Sequence, residues 1–179
     1  MVIARERADH AQGESPPAAR EEQAYEADTF QLVTYLLAGD EFGFRIDRVQ
    51  EIIRYSAMRI TAIPNSPPFV EGVINLRGRL VPVVDLRKRF GFAAQAVDST
   101  GRIMIVTVGS RTIGLIVDAV VEVVRVSSLE VEKLPDLATG VGTEFVQGVC
   151  RVSRGMIVVL DLDAMFSEEE TDAMGSLAD

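Results

Sequence analysis

Gly43-Phe44-Arg45-Ile46-Asp47-Arg48-Val49-Gln50-Glu51-Ile52 and Gly114-Leu115-Ile116-Val117-Asp118-Ala119-Val120-Val121-Glu122-Val123 are two versions of one pattern, G-x-x-[IV]-D-x-V-x-E-[IV], 71 residues apart. Further matches follow in the same order. Phe69-Val70-Glu71-Gly72-Val73 corresponds to Phe145-Val146-Gln147-Gly148-Val149 at a separation of 76, as do Asp85-Leu86 to Asp161-Leu162 and Phe90 to Phe166. Arg77-Gly78 stands opposite Arg154-Gly155 at 77, with one residue of slip. Conserved order at a nearly constant separation marks a duplicated unit. A unit of roughly 60 residues is near the lower limit for independent folding. The halves, residues 30–90 and 102–166, are therefore expected to pack on each other across an apolar seam with a groove between them.

Within each half the apolar runs are short and rich in β-branched residues: Leu32–Leu37, Leu80–Val84, Ile103–Val108, Ile113–Val117, Val120–Val126 and Met156–Leu160. Turn residues such as Gly39-Asp40, Gly109-Ser110 and Arg154-Gly155 bound them, which predicts a mainly β fold, barrel or sandwich. Two short helices are expected. One is capped by Asp47 and carries Val49, Ile52 and Ile53; the other is capped by Asp85, runs through Leu86–Phe90 and ends at Gly91. Residues 91–101 read as the connection between halves.

Charge separates the body from its ends. The chain of 179 residues has a net charge of −9. Residues 1–29 carry −4 and residues 167–179 carry −5, whereas 30–166 hold 15 basic and 15 acidic side chains. Residues 1–28 read as a disordered tail and 167–179 as an acidic tail, solvated or a frayed helix. The neutral body, 29–166, lacks the broad basic footprint of a nucleic-acid binder. One cysteine allows no internal disulfide, no secretory segment follows Met1 and no apolar run is long enough to span a membrane. A cytoplasmic protein without membrane insertion is expected.

Catalytic chemistry finds no residues to carry it. The one histidine, His10, lies in the tail, which removes Ser-His and Cys-His nucleophile arrangements. Cys150 lies in an apolar strand and reads as a buried structural thiol. Asp47, Asp118, Asp85 and Asp161 occupy paired repeat positions where capping or turn roles account for them. Gly140-Val141-Gly142-Thr143-Glu144-Phe145 has Phe145 where a dinucleotide fingerprint needs its third glycine. No catalytic residue, cofactor or metal site is expected. The distinctive feature is a polarised body: residues 77–89 sum to +4 and residues 118–144 to −4. Arg77 stands at a predicted hairpin tip, a place usually given to a short polar residue, and guanidinium groups are frequent interface anchors. Pro82 removes a ladder donor from the next strand and marks an edge or bulge there, open to another barrel or a helix.

The run Asn75-Leu76-Arg77-Gly78-Arg79-Leu80-Val81-Pro82-Val83-Val84-Asp85-Leu86-Arg87 resembles the central signature of the chemotaxis coupling proteins, the CheW family. Gly43-Phe44-Arg45-Ile46, Val49-Gln50-Glu51-Ile52, Pro67-x-Phe69-Val70-x-Gly72-Val73 and Gly114-Leu115-Ile116-Val117-Asp118 extend the likeness over the whole body. The resemblance implies two five-stranded SH3-like β-barrels sharing a hydrophobic core. It implies a non-enzymatic adaptor joining the cytoplasmic tip of methyl-accepting chemoreceptors to the regulatory domain of the histidine kinase CheA, in arrays under the membrane. Carried over, the receptor groove falls on Val49, Glu51, Arg77, Ile103, Gly114 and Val120. The kinase-facing residues fall on Ile60, Gly72 and Leu80, with Leu137 on the second barrel where the family often has an aromatic. A coupler in a twitching or developmental system is the nearest alternative. A small-barrel nucleic-acid binder using residues 77–89 is a more distant one, with few aromatics for stacking.

Overall fold

The described residues form eleven strands in two sheets, and the sheets do not coincide with the repeats. The computed structural model describes residues 28–135 and 142–178. In order the strands are β1 (Thr29–Leu37), β2 (Asp40–Arg45), β3 (Val49–Arg54), β4 (Val70–Leu76), β5 (Arg79–Asp85), β6 (Arg102–Val108), β7 (Arg111–Val117), β8 (Ala119–Ser127), β9 (Val131–Glu132), β10 (Val146–Val152) and β11 (Gly155–Leu160). Two α-helices, α1 (Leu86–Arg89) and α2 (Glu168–Ala178), follow β5 and β11.

One sheet has the order β3-β6-β7-β5-β4 and the other β8-β1-β2-β11-β10-β9. Replacing each strand by its repeat mate turns the first order into the second, with the two-residue β9 as an addition. Each barrel therefore takes its middle pair of strands, the β6–β7 or the β1–β2 hairpin, from the other half of the sequence. The expected packing of two separate halves is in fact a strand exchange, related by a pseudo-twofold. Units too small to fold alone become one cooperative body this way. The mirrored details include the parallel pairings Val83↔Gly114 and Val159↔Gly43 and the shared bulge after Val49 and Val120.

Three apolar clusters follow. Ile74, Val81, Val83, Ile103, Ile105 and Ile116 fill barrel one. Leu32, Val126, Cys150, Ile157 and Val159 fill barrel two, so Cys150 is buried and burial raises its thiol pKa. The larger third cluster lies between the sheets and includes Tyr35, Phe42, Phe44, Met104, Leu115, Phe145 and Phe166. Arg89 enters its edge, with its guanidinium carbon 4.9 Å from the ring centres of Phe69 and Phe145 and 5.5 Å from Phe166. Two clamps tie the halves together at mated corners. Asp118 accepts from the Ala38 amide (2.8 Å) and Arg87 Nε (2.8 Å); Asp163 accepts from the Gly109 amide (3.2 Å) and Arg48 Nη1 (3.0 Å).

Several expectations change. Asp85 caps α1 by accepting from the Arg87 amide, as expected, and Asp161, just before the cap position of the 3₁₀ turn at Asp163–Met165, accepts from the Asp163 amide. The expected helix after Asp47 is only a 3₁₀ turn, Ile46–Arg48, without a side-chain cap, and Val49–Arg54 is a strand. Val49, Glu51 and Ile53 turn inward while Gln50, Ile52 and Arg54 turn out, a period of two in which an inward acid disguises the alternation. The acidic C-terminus is a packed helix: Met174 is fully buried and Glu170 pairs with Arg89 at 3.2 Å. Pro82 sits in an interior strand; the β5–β7 ladder starts only at Val83, whereas the mated β11–β2 ladder starts two positions earlier at Ile157. Helix α2 packs against β5 beside this opening. The tail expected at 1–28 lies outside the described residues except for Asp28, whose carbonyl accepts from the Ser128 amide at 3.1 Å. Leu137 also lies outside them.

Candidate docking site

Arg77 and Gly78 form the tip of the β4–β5 hairpin with φ of 51° and 82°. Two positive φ values give the turn whose twist matches the flanking strands, and Asn or Gly usually fills its first position. Arg77 holds that position at a conformational cost that glycine would avoid. Asn75 Oδ1 accepts from the Gly78 amide at 2.8 Å and fixes the turn. The Arg77 side chain is 72% exposed, and its guanidinium pairs with Glu51 on the edge strand β3. The pair joins two of the residues carried over from the family, 26 positions apart in sequence. Such an exposed pair adds little to stability, and Glu51 leaves part of the donor fork of Arg77 free for another carboxylate or carbonyl.

The other residues expected to line a receptor groove fall into two groups. Val49 and Val120 are repeat mates, each half-buried against the shared core. Ile103 is fully buried inside barrel one, and a Cβ on Gly114 would lie 2.9 Å from Ile103 Cγ2. These two shape the barrel that carries Arg77, and Ile103 offers no side-chain surface of its own. Of the residues expected to face the kinase, Ile60 packs on the barrel-one cluster and Leu80 is 46% exposed. Gly72 is buried with φ of 148°, and a Cβ there would lie 2.1 Å from the Thr61 carbonyl oxygen. That glycine is required by the bridge between Thr61 and Val73. A cleft of about 440 Å³ lies between Leu80, Pro82, the β6–β7 turn and α2; it contains none of the residues expected at the receptor groove.

The basic stretch 77–89 is largely neutralised. Arg77 pairs with Glu51, Arg87 with Asp118, Lys88 with Glu71 and Arg89 with Glu170, which leaves Arg79 as its one cation with no ion pair among the described residues. Phosphate-binding surfaces need several free cations.

Sequence reasoning missed the mate of the Arg77 pair. Arg154, at the β10–β11 tip, binds Glu122, the repeat mate of Glu51, and also Glu41 (Nε 2.9 Å, Nη2 2.5 Å). The Arg154 guanidinium holds the Glu41 carboxyl below the usual carboxylate range against an opposing push from burial, and the Thr34 hydroxyl adds to the lowering. The repeat alignment already paired Arg77 with Arg154 and Glu51 with Glu122. Among the described residues no group of three or more His, Cys, Asp or Glu is placed to hold a metal, and no helix is long and apolar enough to cross a membrane.

Comparison with known proteins bears on the same region. A family model described as CheW-like domain matches residues 31–170. The chain is 34% identical over 166 residues to "Chemotaxis protein CheW" of Treponema pallidum, covering 90% of this chain and 93% of the relative. It is 35% identical over 143 residues to "Chemotaxis protein CheW" of Rhizobium meliloti, covering 80% and 91%. Among solved structures, the scaffolding protein TtCheW from Thermoanaerobacter tengcongensis superposes with a TM-score of 0.71 at 37% identity, covering 79% of this chain and 94% of that one.

Proposed function

The chain belongs to the CheW family, and from that membership we propose that it is a non-enzymatic adaptor coupling methyl-accepting chemoreceptors to the histidine kinase CheA. It sets kinase output by holding the two in register within arrays, to which it is recruited from the cytoplasm. The observation that carries the reading is the exposed Arg77–Glu51 pair at the tip of the signature hairpin. A receptor-tip helix lays its apolar side against Val49 and Val120 and takes donors from Arg77, in the manner of helix-in-groove recognition. Ile103 and Gly114 support that surface from within. Ile60, Gly72 and Leu80 form the kinase-facing end of barrel one, with Gly72 contributing backbone shape. The pairing of four of the five cations in 77–89 argues against the nucleic-acid reading.

Co-sedimentation of a receptor cytoplasmic fragment and the kinase, with autophosphorylation as readout, tests the proposal. This protein is expected to promote their association and alter phosphorylation. Absence of ternary association with the cognate receptors overturns it.

A further inference from the structure

The pseudo-twofold that exchanges the barrels has one gross exception, helix α2. It lies on the β5–β7 side of barrel one, where Leu80, Pro82, Arg111, Thr112 and Ile113 line the cleft beside it. The helix is acidic and its seat is basic. Asp172 approaches Arg111 at 3.6 Å, and Gly175 packs so closely on that side chain that a Cβ would lie 2.5 Å from its guanidinium carbon.

The mated seat on barrel two is the outer side of β11 and β2. By the repeat offsets of 76 and 71, Met156 replaces Leu80, Val158 replaces Pro82, Asp40 replaces Arg111 and Glu41 replaces Thr112. Among the described residues no second helix covers it. The chain at the position corresponding to the start of α2 is Phe92, whose ring lies 6.4 Å from Phe42. It then crosses to barrel one, where the Gly101 carbonyl accepts from the Tyr55 amide at 3.1 Å. Met156 is left 61% exposed. Around it the charge is inverted relative to barrel one. Asp40 is exposed and has no ion pair among the described residues, and Glu41 and Glu122 share the single guanidinium of Arg154.

We propose that the outer face of β2 and β11 docks an amphipathic helix of a partner protein whose polar flank is basic. The occupant is the charge-inverted counterpart of α2: an apolar stripe over Met156 and Val158, with Lys or Arg beside Asp40. The face is separate from the Arg77 hairpin, so the coupling role and this docking can stand or fall independently.

The probe is a synthetic peptide of the α2 sequence carrying Glu168→Lys, Glu169→Lys, Glu170→Lys and Asp172→Lys, titrated into the isotope-labelled full chain and followed by amide chemical shifts. Shifts are expected at Gly39, Asp40, Gly155 and Met156. The unaltered acidic peptide is expected to bind about tenfold more weakly or worse, a difference worth about 1.4 kcal/mol. Met156→Glu and Asp40→Lys should each weaken the basic peptide by a similar factor, and Asp40→Lys should narrow the gap between the two peptides. The proposal is overturned if those amides do not move, if the two peptides bind alike, or if the shifts centre on Arg111 and Met174 because the peptide displaces α2.

Discussion

The hairpin tips at Arg77 and Arg154 occupy corresponding places on the two barrels, and each reaches the same glutamate of the repeat. Their surroundings differ in one carboxylate and in exposure. Arg77 has Glu51 alone and is 72% exposed; Arg154 has Glu122 and Glu41 and is 38% exposed. Glu41 is only 11% exposed and its charged form is held chiefly by Arg154, so the second pair ties β2 to the β10–β11 tip. The first pair, in an open turn with donors to spare, is the one able to change partners. On the proposed reading, a duplicated motif is divided between holding the fold and meeting a partner.

The widest gap between mates is expected at the glycines. Gly72→Ala places a Cβ 2.1 Å from a backbone oxygen at a positive φ, and should cost roughly 3 kcal/mol or more in urea unfolding. Gly148→Ala meets the Glu132 oxygen at 2.6 Å without the positive φ, and about 1–2 kcal/mol is expected. Equal costs would mean that the two bridges are interchangeable. Next come the arginines. Arg154→Met should lower the thermal midpoint by several degrees because Glu41 loses its partner, while Arg77→Met leaves the midpoint where it was. Matching losses in a melting experiment would erase the distinction between the two tips.

A smaller effect concerns acid. Glu41 and Asp163 have folded-state pKa values lowered chiefly by hydrogen bonds from Arg154 and Arg48. A carboxyl whose folded pKa lies below its unfolded one contributes fully above the ordinary carboxylate range and loses that contribution as pH falls through the folded value. Glu41→Gln should therefore flatten the loss of stability on acidification, measured as urea midpoints across that range. An unchanged slope would show that the Arg154 lock carries no such linkage.

Much of this division could be read in the sequence, because the repeat preserves residues for steric reasons. Gly43 and Gly114 recur where a Cβ would press on Ile157 or Ile103, and Asp85 and Asp161 recur as caps. The strand exchange could not be read: similarity identifies which segments match, while pairing across a sheet is set by packing between them. β3 was obscured by the inward Glu51, whose partner lies on another hairpin. α2 was obscured by its run of acids, whose cations Arg89 and Arg111 come from α1 and β7, distant in sequence. The Arg154 lock needed Glu41, which the repeat alignment sets opposite Thr112 and so does not announce.

The division between the tips is tested most directly by titrating a receptor cytoplasmic fragment against three folded proteins: the unaltered chain, Arg77→Glu and Arg154→Met. Binding should fall about tenfold or more in Arg77→Glu with its melting curve unchanged, and should persist in Arg154→Met at temperatures where that variant remains folded. Full binding by Arg77→Glu, or its loss in folded Arg154→Met alone, would contradict the account.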